Sequence, residues 1–187
     1  IAEKKLLAGN SSATLPETSV FQPIWLPSGE LLVSEDSSGW WNLMVLENKI
    51  DVDKDPVWRR IWAMEAETAL PQWVYGMSTT ASASKKIISA CCQQGHWRIK
   101  LLTLNGLISE FEQPFDDLSG LHADDNRVVA IASNSLKEPG LLEIDLSIGS
   151  WSHSTARAPL LQEEQISVPE SFWFNGFNGE LTHGWYY

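Results

Sequence analysis

An all-β fold is predicted for this chain by three observations. Apolar residues alternate with period two, turn chemistry recurs at short intervals, and one arrangement of strands and turns repeats along the 187 residues. In chain order the strand candidates begin with Glu30-Leu31-Leu32-Val33-Ser34-Glu35 and Trp41-Asn42-Leu43-Met44-Val45-Leu46. Next come Lys86-Ile87-Ile88-Ser89-Ala90-Cys91 and Trp97-Arg98-Ile99-Lys100-Leu101-Leu102-Thr103-Leu104. Arg127-Val128-Val129-Ala130-Ile131-Ala132 and Gly140-Leu141-Leu142-Glu143-Ile144-Asp145-Leu146 complete the set. Turn residues separate them: Pro27-Ser28-Gly29, Ser37-Ser38-Gly39, Asn105-Gly106, Asp124-Asp125-Asn126 and Lys137-Glu138-Pro139-Gly140. Only residues 57–69 admit a helix, because Trp58, Ile61 and Trp62 fall at helical spacing. The same stretch also suits an outer strand followed by irregular chain, and both readings stand.

Each repeat unit opens with an apolar stretch. A turn, a β-branched strand, a second turn, an aromatic-or-glycine strand ending in Leu and a weaker outer strand follow. The units begin at Phe21, at Trp73-Val74-Tyr75 and at Leu118-Ser119-Gly120-Leu121-His122. Their third strands start at Trp41, Trp97 and Gly140, about 56 and 43 residues apart. Four short strands in roughly 40 to 50 residues is the pattern of a propeller blade. A blade cannot bury both faces alone, so stacking on its neighbours supplies the core.

The expected architecture is therefore a partial β-propeller at 1–164, with three four-stranded antiparallel blades at about 20–70, 71–117 and 118–160 and stray strands at both ends. Lys4-Lys5-Leu6-Leu7-Ala8 reads as the last strand of a preceding blade, and 165–187 as further strands running to Trp185-Tyr186-Tyr187. Three blades do not close a ring of at least four. A piece of a larger protein is expected, with open edges and apolar faces that favour self-association.

A net charge of −11 and a pI near 4.7 argue against nucleic acid and anionic membranes as partners, which need a basic footprint. No apolar run approaches the roughly 18 residues of a membrane span. Ile1-Ala2-Glu3-Lys4-Lys5-Leu6-Leu7 lacks a signal-peptide layout, and the missing initial Met points to a processed chain or a fragment. Cys91 and Cys92 are adjacent, so on a strand they face opposite ways and a bridge between them would be strained. Two reduced thiols in a cytoplasmic protein are expected. One glycosylation sequon, Asn10-Ser11-Ser12, has meaning only in a secreted chain.

Phe21-Gln22-Pro23-Ile24-Trp25-Leu26-Pro27-Ser28-Gly29-Glu30 resembles a blade opening of the prolyl oligopeptidase family, whose propellers repeat a pattern like Pro-x-Trp-Ser-Pro-Asp-Gly. Val33-Ser34-Glu35-Asp36-Ser37-Ser38-Gly39-Trp40-Trp41-Asn42-Leu43 is similar to the acylaminoacyl-peptidase-like and dipeptidyl-peptidase-like members. Gly120-Leu121-His122-Ala123-Asp124-Asp125-Asn126-Arg127-Val128-Val129 resembles a later blade. Ile166-Ser167-Val168-Pro169-Glu170 with Asn178-Gly179-Glu180-Leu181-Thr182-His183-Gly184-Trp185-Tyr186-Tyr187 resembles the crossover strands that enter that family's α/β-hydrolase domain. In dipeptidyl peptidases a Trp-Val-Tyr stretch precedes paired glutamates that bind a free amino terminus. Here Gly76-Met77 follows Trp73-Val74-Tyr75, which favours an acylaminoacyl-peptidase-like or oligopeptidase-like parent.

That resemblance implies a serine peptidase whose propeller covers the active site and limits entry to peptides, with its own hydrolase domain as partner. The chemistry itself is not in these residues. No Gly-x-Ser-x-Gly nucleophile elbow occurs in the sequence, so no catalytic residue is assigned and the chain alone is expected to be inert. No cofactor is expected, and no Gly-rich phosphate loop is present. Asp51-Val52-Asp53-Lys54-Asp55-Pro56 begins like a calcium loop but puts Pro56 at the turn glycine and Trp62 at the bidentate glutamate, so it reads as a solvated acidic loop. His96, His122, His153 and His183 lack metal-ligand spacing and read as loop or blade-edge residues; no metal is expected. Asp116-Asp117 and Glu163-Glu164 read as solvated turn charges.

Ten tryptophans are the compositional outlier. Trp25, Trp41, Trp73 and Trp97 fall in or beside strand candidates and are expected to pack between blades. Trp40, one residue before Trp41, faces the other way or sits in the turn, and is the one candidate ligand-facing ring. The alternative function is a stand-alone propeller binding carbohydrate or protein through exposed tryptophans. A propeller enzyme with a central metal is disfavoured by the dispersed histidines.

Overall fold

A computed structural model describes residues 5–9, 17–47, 50, 51, 53–83 and 85–187. The sequon Asn10-Ser11-Ser12, Lys4 and Val52 lie outside the described residues. Three four-stranded sheets follow one another along the chain, each a simple meander of antiparallel neighbours. The first holds β1 (Val20–Trp25), β2 (Leu31–Glu35), β3 (Asn42–Leu46) and β4 (Trp58–Arg60). The second holds β5 (Thr80–Ala83), β6 (Lys86–Gln93), β7 (His96–Thr103) and β8 (Gly106–Phe111). The third holds β9 (Asp117–Asp124), β10 (Arg127–Asn134), β11 (Lys137–Asp145) and β12 (Ser150–Thr155). A separate two-stranded hairpin, β13 (Glu170–Asn175) and β14 (Leu181–Tyr186), comes last. The chain is all-β, a partial propeller in which none of these sheets closes on itself.

The sheets stack through apolar side chains. Between the second and third sheets, Ile88, Ile99, Phe115, Leu118, Leu121 and Leu142 are all fully buried. Each such side chain contributes roughly 1.5–3 kcal/mol by leaving water. A second cluster joins the first two sheets through Leu32, Leu43, Val45, Ile87 and Leu102. The outer face of the first sheet carries Leu31, Val33 and Leu46. Residues 5–9 are not in a strand; they lie against that outer face, with Leu7 packed on it and its carbonyl accepting from Trp58 Nε1 at 2.8 Å.

The first two sheets are also stapled by a polar side chain. The β1–β2 ladder slips between Phe21 and Ile24, and Gln22 takes a left-handed φ of 47°. A bulge of this kind re-aims a side chain. Gln22 Nε2 donates to the Thr80 carbonyl at 2.6 Å, while its Oε1 accepts from the Thr79 and Thr80 amides at 2.9 and 3.1 Å. It replaces the ladder partner that β5 lacks on that edge. The innermost strand of the third sheet does something similar at Gly120, where φ of +59° accompanies a slip and the Leu121 amide donates to the Ser78 carbonyl at 2.9 Å.

One open reading is decided here and two sequence expectations change. Residues 57–69 form a short outer strand, Trp58–Arg60, and then irregular chain. The reason is Asn42, which is 1% exposed: its Oδ1 accepts from the Met64 amide at 2.9 Å and its Nδ2 donates to the Met64 and Ala66 carbonyls. Those are the backbone groups a helix would need for itself. The stretch Trp73-Val74-Tyr75 does not open a strand but lies in an exposed turn, and the second sheet starts at Thr80. The turn expected at Lys137-Glu138-Pro139-Gly140 lies instead at Ser135-Leu136. The β10–β11 ladder slips between Ala132 and Asn134, which accommodates Pro139 and its missing N–H.

Candidate functional site

The richest cluster of titratable and aromatic side chains lies where the terminal hairpin meets the second sheet. Gln94-Gly95 turns β6 into β7 with φ of 53° and 79°, a left-handed pair suited to a tight hairpin. His96 starts β7. Asp116, just before β9, is fixed by its backbone: its carbonyl accepts from the Trp97 amide and its amide donates to the Ser133 carbonyl, both at 3.1 Å. His96 Nδ1 then donates to Asp116 Oδ1 at 2.9 Å. Asp116 is thus a hydrogen-bond partner of His96, not the free turn charge its sequence suggested. The exposure of both side chains keeps the pair modest in energy.

Above this pair sits Trp185 of β14. Its ring meets His96 edge-on at 4.8 Å and His183 at 5.2 Å from the other side. It also lies directly over Gly95, where an added Cβ would approach the indole to 2.7 Å. Only glycine fits that contact and that φ together. His183 is 5.0 Å from Trp173, and its Nε2 and the Ser171 hydroxyl are 2.8 Å apart. Ser171, Trp173, His183 and Trp185 share one face of the hairpin because they occupy alternate positions on two paired strands.

A cavity of about 480 Å³ opens beside this face, walled by His96, Asp116, Asn134, Val168, Trp185 and Tyr187. It continues into one of about 570 Å³ that shares Ser133, Asn134, Ser135 and Ile166 and runs beneath Leu160 and Leu161. The shared residues make the two one continuous groove. One end carries two carboxylates, Asp116 and Asp117, and the far end mixes Lys137 and Glu138 with Leu136, Leu160 and Leu161.

A serine nucleophile needs a base that is itself oriented by a third group. Among the described residues no carboxylate pairs with His183, so the Ser171–His183 contact is a cross-strand tie. No three His, Cys, Asp or Glu side chains converge as a metal site among the described residues. Cys91 is buried in β6, and burial pushes its thiol up to about 12. Burial also raises the half-buried Cys92. In the acidic loop, Asp51 accepts from the Asp53 amide and pairs with Lys54 at 3.3 Å.

The tryptophans divide in a way alternation alone did not reveal. Trp25 and Trp73 are 61% and 83% exposed, so their expected place between blades is corrected. Trp25 ends β1 on its solvent side, and Trp73 lies in the turn before β5. Trp41 is half-buried with an edge contact to Phe21 at 6.3 Å, and Trp97 packs against the core of the second and third sheets. Trp40 follows the turn after β2, is 40% exposed, and does not line the groove. The histidines are mostly committed: besides His96 and His183, His153 Nε2 donates to the Ala132 carbonyl at 3.0 Å, while His122 lies exposed on β9. Sequence spacing missed the His96–Trp185–His183 stack because its members lie far apart in the chain. The Ser-x-Trp and His-x-Trp alternation was the legible signal for half of it.

No protein-family model and no curated protein matches this chain. Among solved structures, a puromycin hydrolase shares the fold at a TM-score of 0.77 and 24% identity, over 90% of this chain and 25% of that one. A Mycobacterium tuberculosis puromycin-hydrolyzing peptidase matches at 0.78 and 21%, again over 90% and 25%. Prolyl oligopeptidase B from Galerina marginata, bound to a 35mer hydrolysis and macrocyclization substrate, matches at 0.65 and 9%, over 90% and 23%. The chain spans about a quarter of the length of these structures. Its fold is that of part of the N-terminal propeller region of prolyl-oligopeptidase-family peptidases.

Proposed function

We propose that this chain is the propeller portion of an acylaminoacyl-peptidase-like serine peptidase of the prolyl oligopeptidase family, acting in the cytoplasm. In this reading it contributes no catalytic residue; it covers a hydrolase active site and gates the entry of peptides. One observation carries the proposal: a chain of three meander sheets and a terminal hairpin matches, over 90% of its length, one quarter of a puromycin hydrolase. The hairpin supports it too. Phe172 and Phe174 stack at 5.5 Å on the face opposite Trp185 and remain 43% and 44% exposed, a surface suited to a hydrolase domain.

Sequencing the coding region beyond Tyr187 tests this directly. The expected result is a Gly-x-Ser-x-Gly elbow with Asp and His downstream, in a product that cleaves short peptides and excludes folded protein. Absence of the elbow overturns the reading. Without the rest of the protein, the exposed aromatic face is expected to drive self-association of the 187-residue chain, seen as concentration-dependent mass in light scattering.

A second reading has its own support. Trp73 and Tyr75 are 83% and 98% exposed in one turn, which leaves two aromatic rings free to stack on a sugar. Saturable quenching of tryptophan fluorescence by oligosaccharides, lost in Trp73→Ala, favours a carbohydrate-binding module instead.

A further inference from the structure

The apolar core between the first and second sheets is open at one end. There the turns β1–β2, β5–β6 and β7–β8 surround a cavity of about 650 Å³. That volume falls in the range of small-ligand and side-chain pockets. Its floor is Leu26, Ile87 and Leu104, which belong to the same cluster that joins the two sheets. An apolar group entering from this end therefore extends an existing core, and needs no new one.

The rim has a different chemistry. Lys85 and Lys86 line it side by side, in a chain whose net charge is −11. Lys54, Arg59, Arg60, Arg98, Lys100 and Arg157 each pair with a carboxylate. Lys85 and Lys86 have no such partner among the described residues. The hydroxyls nearby are already committed: Ser28 donates to Glu30, and Thr103 accepts from the Asn105 amide at 3.2 Å. The Leu104 carbonyl is likewise taken, accepting from Arg59 Nη1 at 2.9 Å. An apolar hollow under unpaired ammonium groups complements an apolar residue that ends in a carboxylate.

We propose that this hollow binds the C-terminal residue of a peptide, with its apolar side chain against Leu26, Ile87 and Leu104 and its carboxylate held by Lys85 and Lys86. The inference rests on the peptide-gating reading above and deepens it: one end of the propeller would capture peptide tails and present them to the chain. The site lies at the opposite end of the second sheet from His96 and Trp185, since β6 begins at Lys86 and turns at Gly95.

The test uses the 187-residue chain and an N-terminally fluorescein-labelled Ala-Ala-Leu peptide, as the free acid and as the C-terminal amide, followed by fluorescence anisotropy. The free acid should bind about five- to tenfold tighter than the amide, the effect of two exposed ion pairs. In Lys85→Glu/Lys86→Glu that preference should vanish, with an unchanged unfolding midpoint. Lys85 sits in a turn and Lys86 at the first position of β6, and neither belongs to an apolar core cluster. Equal binding of acid and amide, or no binding of either, overturns the proposal and leaves the gating reading untouched, because that reading falls only with a missing elbow. Displacement of the peptide by octanoate as effectively as by unlabelled Ala-Ala-Leu assigns the hollow to aliphatic carboxylates and overturns the peptide source.

Discussion

The joint between the second and third sheets and the joint between the second sheet and the terminal hairpin are built on opposite principles. The first is an area of contact: Ile88, Ile99, Phe115, Leu118, Leu121 and Leu142 are dry and mutually packed. The second is a point of contact, with Trp185 laid on Gly95 between two histidines. Every residue of β13 is exposed, and a lone two-stranded hairpin is marginal in water. An area joint specifies the fold; a point joint allows the hairpin to be displaced without unfolding the sheets.

The largest effect expected from this contrast is at Phe115, which is fully buried and touches both Trp151 and His153. Phe115→Ala should cost about 3–5 kcal/mol, read from urea unfolding followed by circular dichroism. A loss below about 1 kcal/mol would mean that the second and third sheets are not one core. Gln22→Ala comes next. It removes the three hydrogen bonds to the backbone of Thr79 and Thr80 and should cost about 2 kcal/mol in the same measurement. If it costs nothing, apolar packing alone aligns the first two sheets.

Trp185→Ala and Gly95→Ala should behave alike and differently from both. The global stability should fall by only about 1 kcal/mol, while chymotrypsin cleavage at the aromatic residues within 165–187 speeds up several-fold. Matching increases in global and local cleavage would show the hairpin to be part of the core. The smallest effect separates two neighbouring thiols. Cys91 is fully buried and Cys92 half-buried, so a thiol reagent at pH 8 should modify Cys92 first and Cys91 only through unfolding. The sign of the pH dependence follows from Cys91. Its folded value is raised to about 12 from 9.0, so its stabilising contribution is complete below about pH 9 and is lost as pH rises towards 12. Cys91→Ala should flatten that alkaline slope.

Much of the architecture was readable from the chain because strands and turns are local. Period-two alternation marked β2, β3, β6, β7 and β10, and the order of turns marked a propeller. The candidate site was not read in this way: Ser171, Trp173, His183 and Trp185 alternate on their strands, yet in sequence His183 reads as a loop or blade-edge residue. What lay beyond reach was contact over long separations. Asn42 decided against a helix at 57–69 by taking its backbone groups, and nothing in those residues announces that partner. Trp25 and Trp97 both sit on strands, yet one faces water and the other a neighbouring sheet.

By itself, then, the sequence determined that this protein is a succession of meander sheets, because alternation and turn chemistry act within a few residues. Only the tertiary structure decided which faces are covered, how Gln22 binds β5, and that His96, Trp185 and His183 meet. Alternation assigns a side chain to one of two faces, and it takes a neighbouring sheet to decide which of those faces is dry.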